Sequence, residues 1–223
     1  MIKGLIFDMD GTITLTEELH HRAYAEIFND FGIAFSQEEE ARRFAGSGSK
    51  HIFTTVLAEH GVAFDEELMK KLIDRKHALY TKIVHETDVK LVPGVKEFLH
   101  RIEPLGLARI IATGNSDLDS VRFILERASL LQFFPKIVSV TEVPQGKPHP
   151  DVFLEAARRL EAQPSECVVF EDSLNGVEAA FAAGIRCIAL ETTAKRPELL
   201  AAHATYVVTD YNSITNEMLY GTK

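Results

Sequence analysis

Two cysteines in 223 residues are too few for a disulfide framework. Cys167 and Cys187 each sit inside an apolar run and are expected as buried, inert thiols of a reducing compartment. No apolar run approaches the ~18 residues that a membrane helix requires. The GLIF run near the start is too short for a secretory h-region, and acids follow it at once. Positive charge is short as well: 24 Lys+Arg stand against 33 Asp+Glu, for a formal net charge of -9. That balance argues against nucleic acid or an anionic membrane as partner, yet leaves room for a local anion site. Internal repeats and low-complexity segments are absent. These absences lead to the expectation of a soluble cytoplasmic protein, a monomer or weak homodimer. What is present in quantity is apolar: 46% of residues, enough for a sizeable core without metal or disulfide staples.

Short apolar runs alternate with helical stretches through the second half, the pattern of a parallel sheet with crossover helices. The runs are GLIF at the start, ARIIAT (108–113), KIVSV (136–140), CVVF (167–170), RCIAL (186–190) and TYVV (205–208). Each is apolar almost throughout, as strands covered on both faces require. Helices are expected in VKEFLHRIEPLG, closing at Gly106, in DVFLEAARRL after Pro150, and in SLNGVEAAFAAG from Ser173 to Gly184. Residues 16–85 carry only helical periodicity, with Leu19, Ala23, Ile27 and Phe31 on one stripe. The expected architecture is a doubly wound parallel α/β core (residues 1–15 and 86–223) interrupted by a helical insert (16–85).

Ligands of open α/β sheets bind outside the carboxyl ends of the strands. There the sequence places Asp8, Asp10, Gly11 and Thr12 after the first run, and Thr113, Gly114, Asn115 and Ser116 after the second. Lys147 follows the third, and Glu171 and Asp172 follow the fourth. Each group alone is what a turn or helix cap uses; four groups on one edge of one sheet form a site. Clustered carboxylates suit Mg²⁺, which binds through a few carboxylates together with substrate phosphate. An ionised carboxylate can attack phosphorus as a nucleophile. Lys147, Thr113 and the backbone near Gly114 and Asn115 suit the equatorial oxygens of a transferring phosphoryl group.

FDMDGT, TGNS, GKPHPD and VVFEDSLNG resemble, in order, the four motifs of the haloacid dehalogenase superfamily, in its branch with a helical cap after the first motif. The resemblance spans essentially the whole chain. It implies a small phosphoester as substrate and Mg²⁺ as cofactor. Asp8 would be the nucleophile, and Asp10 the general acid/base that also lends its backbone carbonyl to the metal. Thr113 and Lys147 would hold the phosphoryl group, with Asn115 nearby. Asp172 would bind Mg²⁺, with Glu171 sharing the site. Gly11 lets the backbone turn sharply toward the phosphate. Carbon–halogen chemistry needs neither Asp10 nor a metal site, so phosphate chemistry is the expectation.

The segment DGTITLTEELHHRA is similar to the corresponding part of β-phosphoglucomutase through Thr16, His20 and Arg22, and Lys76 in DRKHALY matches a cap lysine of that family. The loop AGSGSK (45–50) departs from it. A mutase holds its second phosphate with arginine there, and Lys50 lacks the bidentate fork. His20, Lys50 and Lys76 are thus candidate substrate-binding residues. The expected activity is a Mg²⁺-dependent sugar- or polyol-phosphate phosphatase working through phospho-Asp8, with a phosphosugar mutase as the alternative. His21, about 100° round the helix from His20, is expected in solvent. Lys76 is expected at the surface unless the cap closes over it.

Overall fold

The computed structural model describes residues 1–114 and 117–220. Six strands make one parallel sheet: β1 (Gly4–Phe7), β2 (Ala108–Thr113), β3 (Lys136–Ser139), β4 (Cys167–Glu171), β5 (Arg186–Leu190) and β6 (Tyr206–Val208). Their order is β3-β2-β1-β4-β5-β6, with register fixed by pairs such as Phe7 with Ile111 and Phe7 with Phe170. The chain winds outward from β1 through β2 to β3, then returns to the other side of β1 and winds outward again. All six expected runs are strands, with ends displaced by no more than one residue.

Why continuous apolar runs form this sheet is visible in how the side chains divide. Leu5, Phe7, Ile111, Val168, Phe170, Ile188 and Leu190 enter one core cluster. Ile6, Ile110, Ala112, Cys167, Val169, Cys187 and Ala189 enter another. Alternate residues point to opposite faces, so the central positions of strands with a core on both sides are apolar. On the first face Phe7 stacks on Phe170 at 4.5 Å between centroids, beneath the strand ends that carry the acids.

Residues 16–85 contain four helices: α1 (Glu17–Asn29), α2 (Gln37–Arg43), α3 (Ser49–Glu59) and α4 (Glu66–Glu86). They bury a cluster of their own, including Tyr24, Phe28, Phe35, Phe53 and Leu72. The short α2 has no apolar stripe and was not legible from periodicity; Ser36 caps it by accepting from the Glu39 amide. The sheet is flanked by α5 (Val95–Ile102), α6 (Leu118–Arg127), α7 (Asp151–Arg159), α8 (Leu174–Ala182), α9 (Arg196–Ala201) and α10 (Asn216–Tyr220). Phe98 and Ile124 of α5 and α6 cover the first face, Phe153, Val177 and Leu199 of α7, α8 and α9 the second. No helix among the described residues is long and apolar enough to cross a membrane.

Candidate active site

The carboxyl ends of β1, β2 and β4 and the loop after β3 meet at one edge. Asp8 prolongs β1, its amide donating to the Phe170 carbonyl at 3.0 Å. The fully buried Lys147 side chain donates from its ammonium to Asp8 Oδ1 and, at 2.6 Å, to Glu171 Oε1. The other Glu171 oxygen accepts from the Asp172 amide at 2.7 Å, the Ser173 amide at 2.8 Å and the Ser173 hydroxyl at 2.9 Å. Both oxygens of Glu171 are thus committed to protein donors. One of these contacts fixes Lys147 against Asp8.

Asp172 is arranged otherwise. Its Oδ1 accepts from the Thr12 hydroxyl at 2.9 Å, while its Oδ2 is buried with no hydrogen-bond partner among the described residues. A buried, unsatisfied carboxylate oxygen is costly unless a cation or proton meets it. Gly11, at φ +77°, brings the backbone so close that a Cβ there would lie 2.0 Å from this same oxygen. Three buried carboxylates, Asp8, Glu171 and Asp172, face one ammonium. Burial pushes the Asp8 carboxyl up to about 8, Glu171 and Asp10 adding to the push and Lys147 opposing it. Burial, then Glu171 and Asp8, raise Asp172 well above the carboxylate range. Burial works against the Lys147 ammonium, but the two carboxylates hold it above the ordinary lysine value. A divalent cation fits the surplus of negative charge and the open Asp172 oxygen. Among the described residues, no three His, Cys, Asp or Glu side chains form a closed metal cage, and Mg²⁺, which keeps several waters, needs none.

Asp10 is held from the helical side. Its Oδ1 accepts from the Thr16 hydroxyl at 2.5 Å and the Tyr80 hydroxyl at 3.3 Å, and lies 3.0 Å from His20 Nε2. The fully buried Lys76 ammonium is 2.9 Å from His20 Nδ1. An ammonium only donates, so Nδ1 accepts and the ring proton sits on Nε2, aimed at Asp10. Burial, then Lys76, push His20 down to about 4, which keeps the imidazole neutral. Burial likewise brings Lys76 down to about 8. His20 stacks on Tyr80 at 3.8 Å, and Lys76 lies 4.9 and 5.0 Å from the rings of Tyr24 and Tyr80.

Lys76 is therefore no surface residue: the helices close over it, and its attractors Asp10 and His20 lie beneath. His21 is half-buried rather than solvated, with Nδ1 3.0 Å from Glu40 Oε2. Tyr80 escaped the sequence reading; its signal is the i,i+4 spacing from Lys76, which puts both on one face of α4. Glu17 also escaped it. Burial, then Asp172, Asp10, Glu40 and Asp8, raise its carboxyl well above the usual range, so it overlooks the acids of the strand ends. In sequence it reads only as a first-turn acid of α1.

The loop 45–50 packs onto the core. Asn175 donates to the Ala45 carbonyl at 2.9 Å and to the Ser47 hydroxyl at 3.2 Å. Gly46, at φ +77°, leaves no room for a Cβ, which would lie 2.4 Å from Ser173 Oγ. Gly114 meets the Gly46 carbonyl oxygen, where a Cβ would come within 2.4 Å. Thr113 ends β2, fully buried beside Ser139 of β3. Lys50 is exposed on the wall of a cleft between the helices and the sheet edge. Asn115 lies outside the described residues.

The haloacid dehalogenase-like hydrolase model matches residues 5–190. The chain belongs to that family. It is 33% identical over 191 residues to Protein CbbY of Rhodobacter capsulatus, covering 84% of each chain. It is 31% identical over 186 residues to the fructose-1-phosphate phosphatase YqaB of Escherichia coli, covering 83% of this chain and 94% of that one. A crystal structure of CbbY from Rhodobacter sphaeroides in complex with xylulose 1,5-bisphosphate superposes with a TM-score of 0.83 at 27% identity, covering 96% of both chains.

Proposed function

We propose that this hydrolase is a phosphatase of small phosphorylated metabolites, acting on a sugar or polyol phosphate through a phospho-aspartyl intermediate. The observation that carries the reading is the buried Lys147 joined to both Asp8 and Glu171, next to a buried Asp172 oxygen with no hydrogen-bond partner among the described residues. The family and its phosphatase relatives support it.

Asp8 attacks phosphorus while Lys147, Thr113 and backbone amides near Gly114 and Asn115 stabilise the equatorial oxygens. Asp10 gives a proton to the leaving oxygen and then takes one from the water that attacks phospho-Asp8. The donors on its Oδ1 orient the carboxyl for this exchange. Asp8 and Asp172, with the Asp10 carbonyl, would hold Mg²⁺, which supplies charge neutralisation for the acids and the phosphoryl oxygens. The helices 16–85 act as the cap that excludes bulk water, and the contacts of Thr16, His20 and Tyr80 to Asp10 tie its closure to the acid/base.

The mutase reading draws on Thr16, His20 and Lys76, which do gather at Asp10. Hydrolysis uses the same arrangement, and the two differ only in whether water or a second sugar hydroxyl takes the phosphoryl group. Purified protein with Mg²⁺ is incubated with a sugar-phosphate panel that includes β-glucose 1-phosphate and a trace of its bisphosphate. Free phosphate and glucose 6-phosphate are followed together, with a chelator control. Phosphate release abolished by the chelator is the expected outcome. Glucose 6-phosphate formed without phosphate release would replace the phosphatase with the mutase.

A further inference from the structure

The helical wall of the cleft rests on a loop that the core holds in place. The cleft, about 1020 Å³ in volume, runs from Gly114 and Lys147 at the phosphoryl site to Gly48, Lys50 and His51 on the helical side. Gly48 precedes α3, and Lys50 and His51 lie in its first turn. Their position therefore depends on the loop 45–48 that delivers the chain to α3.

Ala45 and Ser47 of that loop are buried, and a buried carbonyl or hydroxyl without a partner is costly. Asn175, in the first turn of α8, supplies a donor to each. Both protons of its amide nitrogen are used, one on the Ala45 carbonyl at 2.9 Å and one on Ser47 Oγ at 3.2 Å. The fit around these bonds is close. Gly46 abuts Ser173 Oγ and Gly114, and a Cβ at Gly48 would already touch the Gly114 carbonyl and Val140, both at 3.6 Å. On the helical side Ser49 Oγ lies 2.8 Å from the Tyr24 hydroxyl.

Asn175 belongs to VVFEDSLNG, yet no step of the phosphoryl transfer uses it: its amide is directed to the loop and not to the acids that precede it. The contacts that orient Asp10 come from elsewhere in the insert, from Thr16, His20 and Tyr80. Seating the loop and orienting the acid/base are thus separate duties.

Resting on the phosphatase reading, we infer that Asn175 is a positioning residue for substrate selection: it seats the loop 45–48 on the core and so fixes the cleft wall that meets the alcohol part of the phosphoester. It acts through the loop. A substrate whose leaving group is too small to reach that wall does not need the seat.

Asn175→Ala removes both donors and suits a helix. Wild type and variant are assayed with Mg²⁺ on a sugar-phosphate panel and on acetyl phosphate, whose leaving group is a bare acetate. For the best sugar phosphate kcat/KM should fall by about tenfold or more, mostly through KM, while that for acetyl phosphate stays within about twofold. A ratio of two substrates within one variant does not depend on how much of it folds. Ser47→Ala, which removes one of the two acceptors, should shift the ratio less and add nothing to Asn175→Ala. Amide hydrogen exchange follows the seat without turnover: residues 45–51 should exchange at least about tenfold faster in Asn175→Ala, with the sheet unchanged. Equal losses on both kinds of substrate, no loss on either, or unaltered exchange in the loop overturns the inference and leaves the phosphatase reading intact. No hydrolysis of any probe by the wild-type protein removes both.

Discussion

The two acids of FDMDGT sit one residue apart and live in opposite environments. Asp8 belongs to the sheet edge, gripped by a buried ammonium that Glu171 steadies. Asp10 belongs to the helical side, where two hydroxyls and a neutral imidazole reach one of its oxygens. The difference teaches how one motif runs two kinds of chemistry. A nucleophile must be charged as it attacks; burial raises the Asp8 carboxyl to about 8, and the ion pair with Lys147 works against that rise. A group that gives and takes a proton within one cycle must not be locked in either state, so neutral donors suit it.

The comparison breaks most completely at Asp8. Asp8→Asn is nearly isosteric and leaves Lys147 paired with Glu171, so the fold should hold while phosphate release falls by roughly 10⁴-fold or more. Retention of a substantial fraction of turnover would remove Asp8 as nucleophile. Next comes Lys147→Ala, which leaves Asp8 and Glu171 buried without their cation. Stability at pH 7 should drop by about 3–5 kcal/mol, read from urea denaturation, and kcat by roughly 10²–10³-fold. A change confined to KM would mean that Lys147 binds substrate without stabilising the transition state.

On the helical side the effects should be smaller. His20→Ala leaves Asp10 the Thr16 and Tyr80 hydroxyls, so kcat should fall by roughly 10–100-fold, with single-turnover decay of the phospho-enzyme slowed alongside. Unchanged decay would show that His20 is a packing residue. Smallest is Glu40→Gln. Burial raises the Glu40 carboxyl above its ordinary value, with His21 opposing. Its favourable contribution is full below pH ~4.5 and is lost as pH rises through the raised folded value. The variant should therefore gain on wild type between pH 4 and pH 8. A difference flat in pH would mean that Glu40 is not held above its usual range.

The sequence by itself determined the sheet and the ingredients at its edge. Strands with a core on both faces are apolar through their central positions, so GLIF, ARIIAT and CVVF announce themselves, and each is followed by its polar cluster. It also determined α1 by its stripe, whereas α2 depends on its cap and on the Glu40–His21 contact. Only the tertiary structure decided which partner each charge meets. Glu171 and Asp172 are neighbours in the chain, yet one turns to Lys147 and the other is left with an open oxygen. His20 and Lys76 lie 56 positions apart and become a proton-orienting pair only because α1 and α4 pack side by side over Asp10. Periodicity records which face of a helix is apolar. It does not record which distant carboxylate, ammonium or ring will be desolvated against it, and in this site those pairings set the charge of every group.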